Sequence, residues 1–193
     1  MTEKTQNNNV KTKPDDWVKL HGDYLYNYAY SRVQSKESAE DLVQETFISA
    51  LKSIKSFRGD SSEITWLIAI LKRKIIDHYR KLSRKKETVT SQFSTPFQDN
   101  SGMDGHWILD RAPKDWHIKH EDPMRQSEFI FILEMCIAAL PEKWRSVFVL
   151  KVMEELKSDE VCKEIGCSSS NLWVIIHRAR LQLRECLENR WLK

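Results

Sequence analysis

The residues best equipped for chemistry in this chain are positive charges. Lys72, Arg73, Lys74, Arg80, Lys81, Arg84, Lys85 and Lys86 lie within fifteen positions, with Asp77 as the single acid among them. The whole 193-residue chain carries a formal charge of only +3, so this run holds more than twice the protein's net charge. Fixed cations at that density neutralise phosphates and release their counterions, the electrostatic footprint of nucleic-acid binding. A second basic group, His177, Arg178, Arg180 and Arg184, follows near the other end. Catalysis finds no such footing: the sequence offers no paired carboxylates with metal geometry, no phosphate loop and no nucleophile–base pair. The cysteines, at 136, 162, 167 and 186, lack the CxxC spacing of a zinc site. His117 and His120 sit one helical turn apart beside Glu121, without a third ligand. The expectation is a binding protein, not an enzyme, with no metal or other cofactor.

The elements that must position these charges are helices. Five glycines and few strand-like alternations point to an all-α protein. Residues 64–71 are apolar on nearly every side and lead into the basic run, where Ile75, Ile76, Tyr79 and Leu82 keep an apolar side. One helix is expected there, largely buried at its start and fanning cations at its end. Before it, Ala39, Leu42, Val43, Thr46, Phe47, Ala50, Leu51 and Ile54 form one stripe, and Ser38 with Asp41 resembles a capping box. The opposite face carries Glu40, Asp41, Gln44 and Glu45, then Lys52 and Lys55, an order that suits the helix dipole without any partner. Asp15 or Asp16 can cap a first helix whose inward positions are Trp17, Leu20, His21, Tyr24, Leu25, Tyr28, Ala29 and Val33. Its tyrosines are expected to half-bury rather than stack on bases.

The second basic group belongs to a helix-turn-helix. Ser158 supplies a capping hydroxyl, Val161, Cys162 and Ile165 an apolar face, and Gly166 a left-handed stop. Ser168 can cap the next helix, which buries Leu172, Ile175 or Ile176, Ala179, Leu183 and Leu187. The second helix of such a unit enters the DNA major groove. Ahead of it, Phe129, Ile130, Leu133, Cys136, Ile137 and Leu140 make a helix face. Pro141 stops that helix and Glu142 opens another, with Trp144, Val147, Phe148 and Met153 mostly inward. Residues 87–125 hold three of the five prolines and more acids than bases. They also hold Phe93, Phe97, Trp107, Ile108, Leu109, Trp116 and Ile118, which a purely solvated tether would not need; these suggest contacts with this protein or a partner. The expected organisation is a disordered lead (1–14), a helical domain (15–86), a flexible linker (87–125) and a second small helical domain with the helix-turn-helix (126–193). The longest apolar run is eight residues, far short of a membrane span. No secretory signal is visible, so a soluble, cytoplasmic protein with reduced thiols is expected.

Six ordered motifs carry a family resemblance. SAEDLVQETF at 38–47 closely resembles the segment with which extracytoplasmic-function (ECF) sigma factors bind core RNA polymerase. FRGD at 57–60, then TWL at 65–67 and IDHYR at 76–80, are similar to the rest of that domain. LPEKWR at 140–145, and HRAR at 177–180 with Leu183 and Arg184, are similar to the family's second domain. The resemblance covers about residues 17–86 and 127–188. It implies core polymerase contacts at Asp41, Gln44 and Glu45, with apolar area from Leu42 and Ile48. It implies minus-ten contacts at Arg58, Asp60 and Ser61, in a loop that captures an unpaired base, and at Lys72, Arg73, Lys74, His78, Arg80 and Lys81. Minus-thirty-five contacts are implied at Ser169, Ser170, Asn171, Trp173, Val174, His177, Arg178, Arg180 and Arg184. The acidic linker resembles the segment such factors thread through the polymerase channel. The implied partners are bacterial core RNA polymerase, promoter DNA and an anti-sigma factor, with no membrane insertion.

The sequence also departs from the family pattern. Trp173 and Ile175 stand where Lys or Arg is common; apolar side chains there can touch thymine methyl groups or face a regulatory partner. Trp66 is expected in the core, Cys162 in packing, and Cys167 closer to solvent. The competing reading is a helix-turn-helix regulator that acts as a dimer on a palindrome. It leaves the 38–47 match and the basic helix unaccounted for.

Overall fold

The computed structural model describes residues 14–57, 59–84, 94–97, 106–114, 116 and 123–192. Seven α-helices run through them: α1 (Trp17–Val33), α2 (Lys36–Ser53), α3 (Glu63–Arg84), α4 (Pro123–Ala138), α5 (Glu142–Phe148), α6 (Ser158–Ile165) and α7 (Ser169–Arg190). Among the described residues there is no strand, only an isolated bridge between Phe97 and Trp107. The chain divides into two compact units, residues 1–78 and 79–193.

In the first unit α1 packs along α2. Trp17, Leu25, Ala29 and Val33 face Ala39, Leu42, Val43 and Ala50, and all are buried. Leu20 and Tyr24, expected inside, are 55% and 56% exposed. The side of α1 that is buried is narrower than its apolar stripe, so the stripe's edge is left in solvent. Gln34 closes α1 in the left-handed conformation (φ 55°), donating its N–H to the Tyr30 carbonyl. The cap of α2 is Ser35, whose hydroxyl accepts from the Ser38 N–H, rather than Ser38 itself. Thr46 is wholly buried but satisfied, since its hydroxyl donates to the Leu42 carbonyl at 2.7 Å. Ser62 caps α3 through the Thr65 N–H. Leu67, Leu71 and Ile75 then point inward, but Ala69 is exposed, so the start of α3 buries one side and not all.

In the second unit α4, α5 and α6 each pack on α7. Leu172, Ile175, Ile176, Ala179, Leu183 and Leu187 are the buried side of α7, the predicted spacing realised in full. Arg145 ties α5 to the end of α4 by donating to the Ala138 carbonyl. Ser158 lies inside α6; the turn is closed instead by the Glu160 carboxylate, which accepts from the Lys157 N–H. Gly166 ends α6 at φ 71°, ψ 47°. A Cβ there would meet nothing within 4 Å, so the penalty of Gly166→Ala is the left-handed backbone alone. That penalty is about 1 kcal/mol, readable as a lower urea midpoint at unchanged slope.

Cys136 of α4 and Cys186 of α7 are joined by a disulfide, with Cα atoms 5.9 Å apart. This corrects the expectation of four reduced thiols. Fifty residues separate the pair, and only the packing of α4 on α7 brings them together. Cys162 and Cys167 are free thiols, both half-buried. Burial and a hydrogen bond with Cys162 raise the Cys167 pKa to about 11. A thiol held protonated to that extent is a poor nucleophile at neutral pH.

Candidate nucleic-acid interface

Two surfaces, one on α2 and one along α3, carry the side chains predicted for polymerase and minus-ten contact. On α2, Asp41, Gln44 and Glu45 fall at i, i+3 and i+4 and are all exposed. Leu42 is 6% exposed and belongs to the core, which corrects its assignment to a contact surface. The apolar area beside the patch comes instead from Ile48 and Leu51, 51% and 50% exposed. Leu51 was missed because it sits on the apolar stripe; the helix ends two residues later and leaves it at the rim. Glu45 pairs with Lys74 of α3 at 3.1 Å, so the acidic patch borders the basic helix. Glu45 is exposed and Lys74 half-buried at the surface, and such a pair contributes little stability.

Along α3, Arg73, Lys81 and Arg84 are exposed, while Lys72, Lys74, His78 and Arg80 are half-buried. Asp60 and Ser61 are exposed in the loop before it; Arg58, Lys85 and Lys86 lie outside the described residues. Trp66 is half-buried, stacked on Phe57 at 4.7 Å and edge-on to Trp17 at 5.8 Å. It packs the loop onto the helices, half-buried where a core position was expected. Tyr28 is half-buried beneath the Arg32 guanidinium, 3.4 Å from its ring centroid. His117 and His120, the candidate metal ligands, also lie outside the described residues.

In the second unit the candidate reading surface is built from the start of α7. Ser168 caps the helix by accepting from the Asn171 N–H. The cap turns Ser169, Ser170 and Asn171 outward, followed by Trp173, Val174, His177, Arg178 and Arg180, all exposed. Trp173 and Val174 are 56% and 44% exposed, but Ile175 is 4% exposed and is core. The apolar departure from the family pattern therefore reduces to Trp173 and Val174.

Arg184 is placed differently. Its guanidinium lies 4.4 Å over the Trp107 ring, Nη2 donates to the Arg111 carbonyl at 2.8 Å, and Nε is 3.8 Å from Glu188. Its side chain is 17% exposed. The family resemblance implied a minus-thirty-five contact at Arg184; in this structure Arg184 is engaged within the protein.

Two family models match this chain in order: sigma-70 region 2 over residues 17–85 and sigma-70 region 4 over residues 130–183. A probable RNA polymerase sigma factor of Haemophilus influenzae is 38% identical over 168 residues, covering 86% of this chain and 85% of that protein. The chain belongs to the sigma-70 family of RNA polymerase sigma factors. RNA polymerase sigma factor YlaC of Bacillus subtilis is 31% identical, covering 89% of this sigma factor and 90% of its own length. The ECF RNA polymerase sigma factor SigW, also of Bacillus subtilis, is 29% identical over 90% of the chain and 88% of that protein.

The region 2 match spans α1 to α3, with the α2 patch and the basic helix; the region 4 match runs from within α4 to Leu183 of α7. Arg184 and its linker contacts fall outside both. Among the described residues no helix is long and apolar enough to cross a membrane.

Proposed function

We propose that this sigma factor binds bacterial core RNA polymerase through Asp41, Gln44 and Glu45, with Ile48 and Leu51 adding apolar area beside them. Residues 15–86 then open and hold the minus-ten element. Asp60 and Ser61, together with Arg58, line the capture loop for an unpaired base, and the α3 cations neutralise the neighbouring phosphates. Residues 126–193 read the minus-thirty-five element through α7. Ser169, Ser170 and Asn171 meet base edges, Trp173 and Val174 touch thymine methyl groups, and His177, Arg178 and Arg180 hold phosphates. Residues 87–125 join the two. The factor acts in the cytoplasm and performs no catalysis itself; an anti-sigma factor is the further partner that the family resemblance implies.

The observation that carries this reading is the exposed run from Ser169 to Arg180 on a helix whose other side is wholly core. It stands in a chain that also presents an acidic patch next to a basic helix.

The polymerase contact is tested by changing Asp41, Gln44 and Glu45 together to alanine. Core affinity is expected to fall about tenfold to a hundredfold, because a few residues carry most of the binding energy of an interface. The thermal midpoint should stay within about 2 °C of wild type, since all three side chains lie off the buried stripe. Unchanged core affinity in a folded triple variant would remove the assignment.

A further inference from the structure

The linker carries aromatic residues that promoter recognition does not use, and its described part is seated on α7. Phe97 and Trp107 bridge, with ring centroids 4.6 Å apart, and the Ile108 N–H donates to the Pro96 carbonyl at 2.9 Å. This pinch lies over the helix: Phe97 is nearly parallel to the His177 ring at 6.4 Å, and Trp107 sits under Arg184. Arg111 then grips Glu185 with both arms of its fork, Nε to Oε1 at 3.1 Å and Nη2 to Oε2 at 2.8 Å. Its other contacts, to the Ser94 hydroxyl and the Ser94 and Thr95 carbonyls, hold the two ends of the pinch together. Glu188 is 4% exposed and accepts from the Lys114 backbone N–H at 3.1 Å and the Trp116 indole N–H at 3.3 Å.

His177, Arg184 and Glu188 recur at helical spacing, with Glu185 beside them, and form a stripe apart from the core stripe of α7. A buried carboxylate is tolerated only when its lone pairs are met. Here the lone pairs of Oε1 are met by the linker, so this face of α7 is shaped for that occupant. The bidentate guanidinium–carboxylate pair adds geometric selectivity.

We propose that this second face of α7 is a dock for the factor's own linker, and that the docked linker and a linker laid along polymerase are mutually exclusive states. The polymerase half of the proposal rests on the sigma-factor reading; the dock itself does not. Lifting the linker uncovers Arg184 one turn beyond Arg180, which lengthens the basic edge of α7. Free factor stores the linker on α7, and core polymerase takes it up at the expense of the dock.

The test uses the full chain with two readouts: hydrogen exchange of the Ile108 and Lys114 amides, and affinity for bacterial core polymerase. Arg111→Glu, which sets two carboxylates against each other at Glu185, should speed exchange at both amides about tenfold and tighten core binding several-fold. Arg111→Ala should move both readouts the same way by less, and Arg111→Glu with Glu185→Arg should restore both toward wild type. Exchange unchanged by Arg111→Glu would overturn the dock. Faster exchange with unchanged or weaker core binding would overturn the competition. A wild-type chain that does not bind core would overturn the sigma-factor reading and the competition with it, while the exchange readout would still decide the dock.

Discussion

Replacing Arg178 and Arg180 together with glutamate should lower holoenzyme affinity for its promoter on the order of a hundredfold at moderate salt. A unit charge about 4 Å from a phosphate interacts with it by roughly 1 kcal/mol in water-like surroundings, and reversal replaces that attraction with an equal repulsion. Two such positions total about 4 kcal/mol before salt screening, which trims the effect. Both side chains are exposed on α7, one and three residues past His177, so they extend the edge of the reading surface instead of supporting the core. The salt dependence should also flatten, with the slope of log affinity against log salt falling in magnitude by about 2. Core polymerase affinity should not change, because the contacts proposed for it lie on α2. A promoter affinity and slope equal to wild type would show that the phosphates lie elsewhere.

The second large effect concerns the disulfide. Cys136–Cys186 closes a loop of about fifty residues that contains α5, α6 and most of α7. Chain-entropy arguments assign a loop of that length about 4 kcal/mol, acting by restricting the unfolded chain. That is a large share of the roughly 5–15 kcal/mol that holds a domain together. Reducing the wild-type chain should therefore lower the urea midpoint of its second unit sharply. The Cys136→Ala, Cys186→Ala variant should start near the reduced wild type and show no response to reductant. Equal midpoints with and without reductant in wild type would show that the cross-link is not formed in solution. Residual order in the unfolded chain makes the 4 kcal/mol an upper bound.

The helix-turn-helix was legible in the sequence because what specifies it is local. Ser168 caps, Gly166 turns left-handed, and apolar residues from Leu172 to Leu187 recur at three and four; each is read within one or two turns of chain. The exposed run from Ser169 to Arg180 followed as the complement of that buried stripe. The first unit was less legible in its edges. The stripe on α1 is wider than the side its neighbours bury, so Leu20 and Tyr24 face solvent. On α2 the cap is Ser35, Leu42 is core, and Leu51 is exposed at the helix end. Each of these depends on where a helix stops and how broad its neighbour is, which periodicity does not carry.

What the sequence hid altogether depends on pairs far apart along the chain. Arg184 looks by type and spacing like a partner of Arg180, yet Trp107 and Arg111, more than seventy residues earlier, decide its surroundings. Cys136 and Cys186 lack any recognisable spacing and meet only through helix packing. The linker's aromatics signalled contacts, but not with what; the answer is a face of α7 that composition alone would have left to solvent or DNA. Ile175 shows the reverse case. It stood out as an odd residue in a reading position, and its burial removes it from recognition.

The central claim is that this chain directs polymerase to promoters, and reconstituted transcription tests it most directly. The purified factor is combined with bacterial core RNA polymerase on fragmented genomic DNA of the organism that carries it, and the 5′ ends of the transcripts are mapped. The account predicts a discrete set of start sites that appear only when factor and core are both present. Each should have a shared element about one turn of DNA upstream and a second about thirty-five base pairs upstream, and all should weaken together at limiting factor with the Asp41, Gln44 and Glu45 triple alanine variant. Absence of any association with core, together with tight dimeric binding of the free chain to a palindromic duplex, would contradict it.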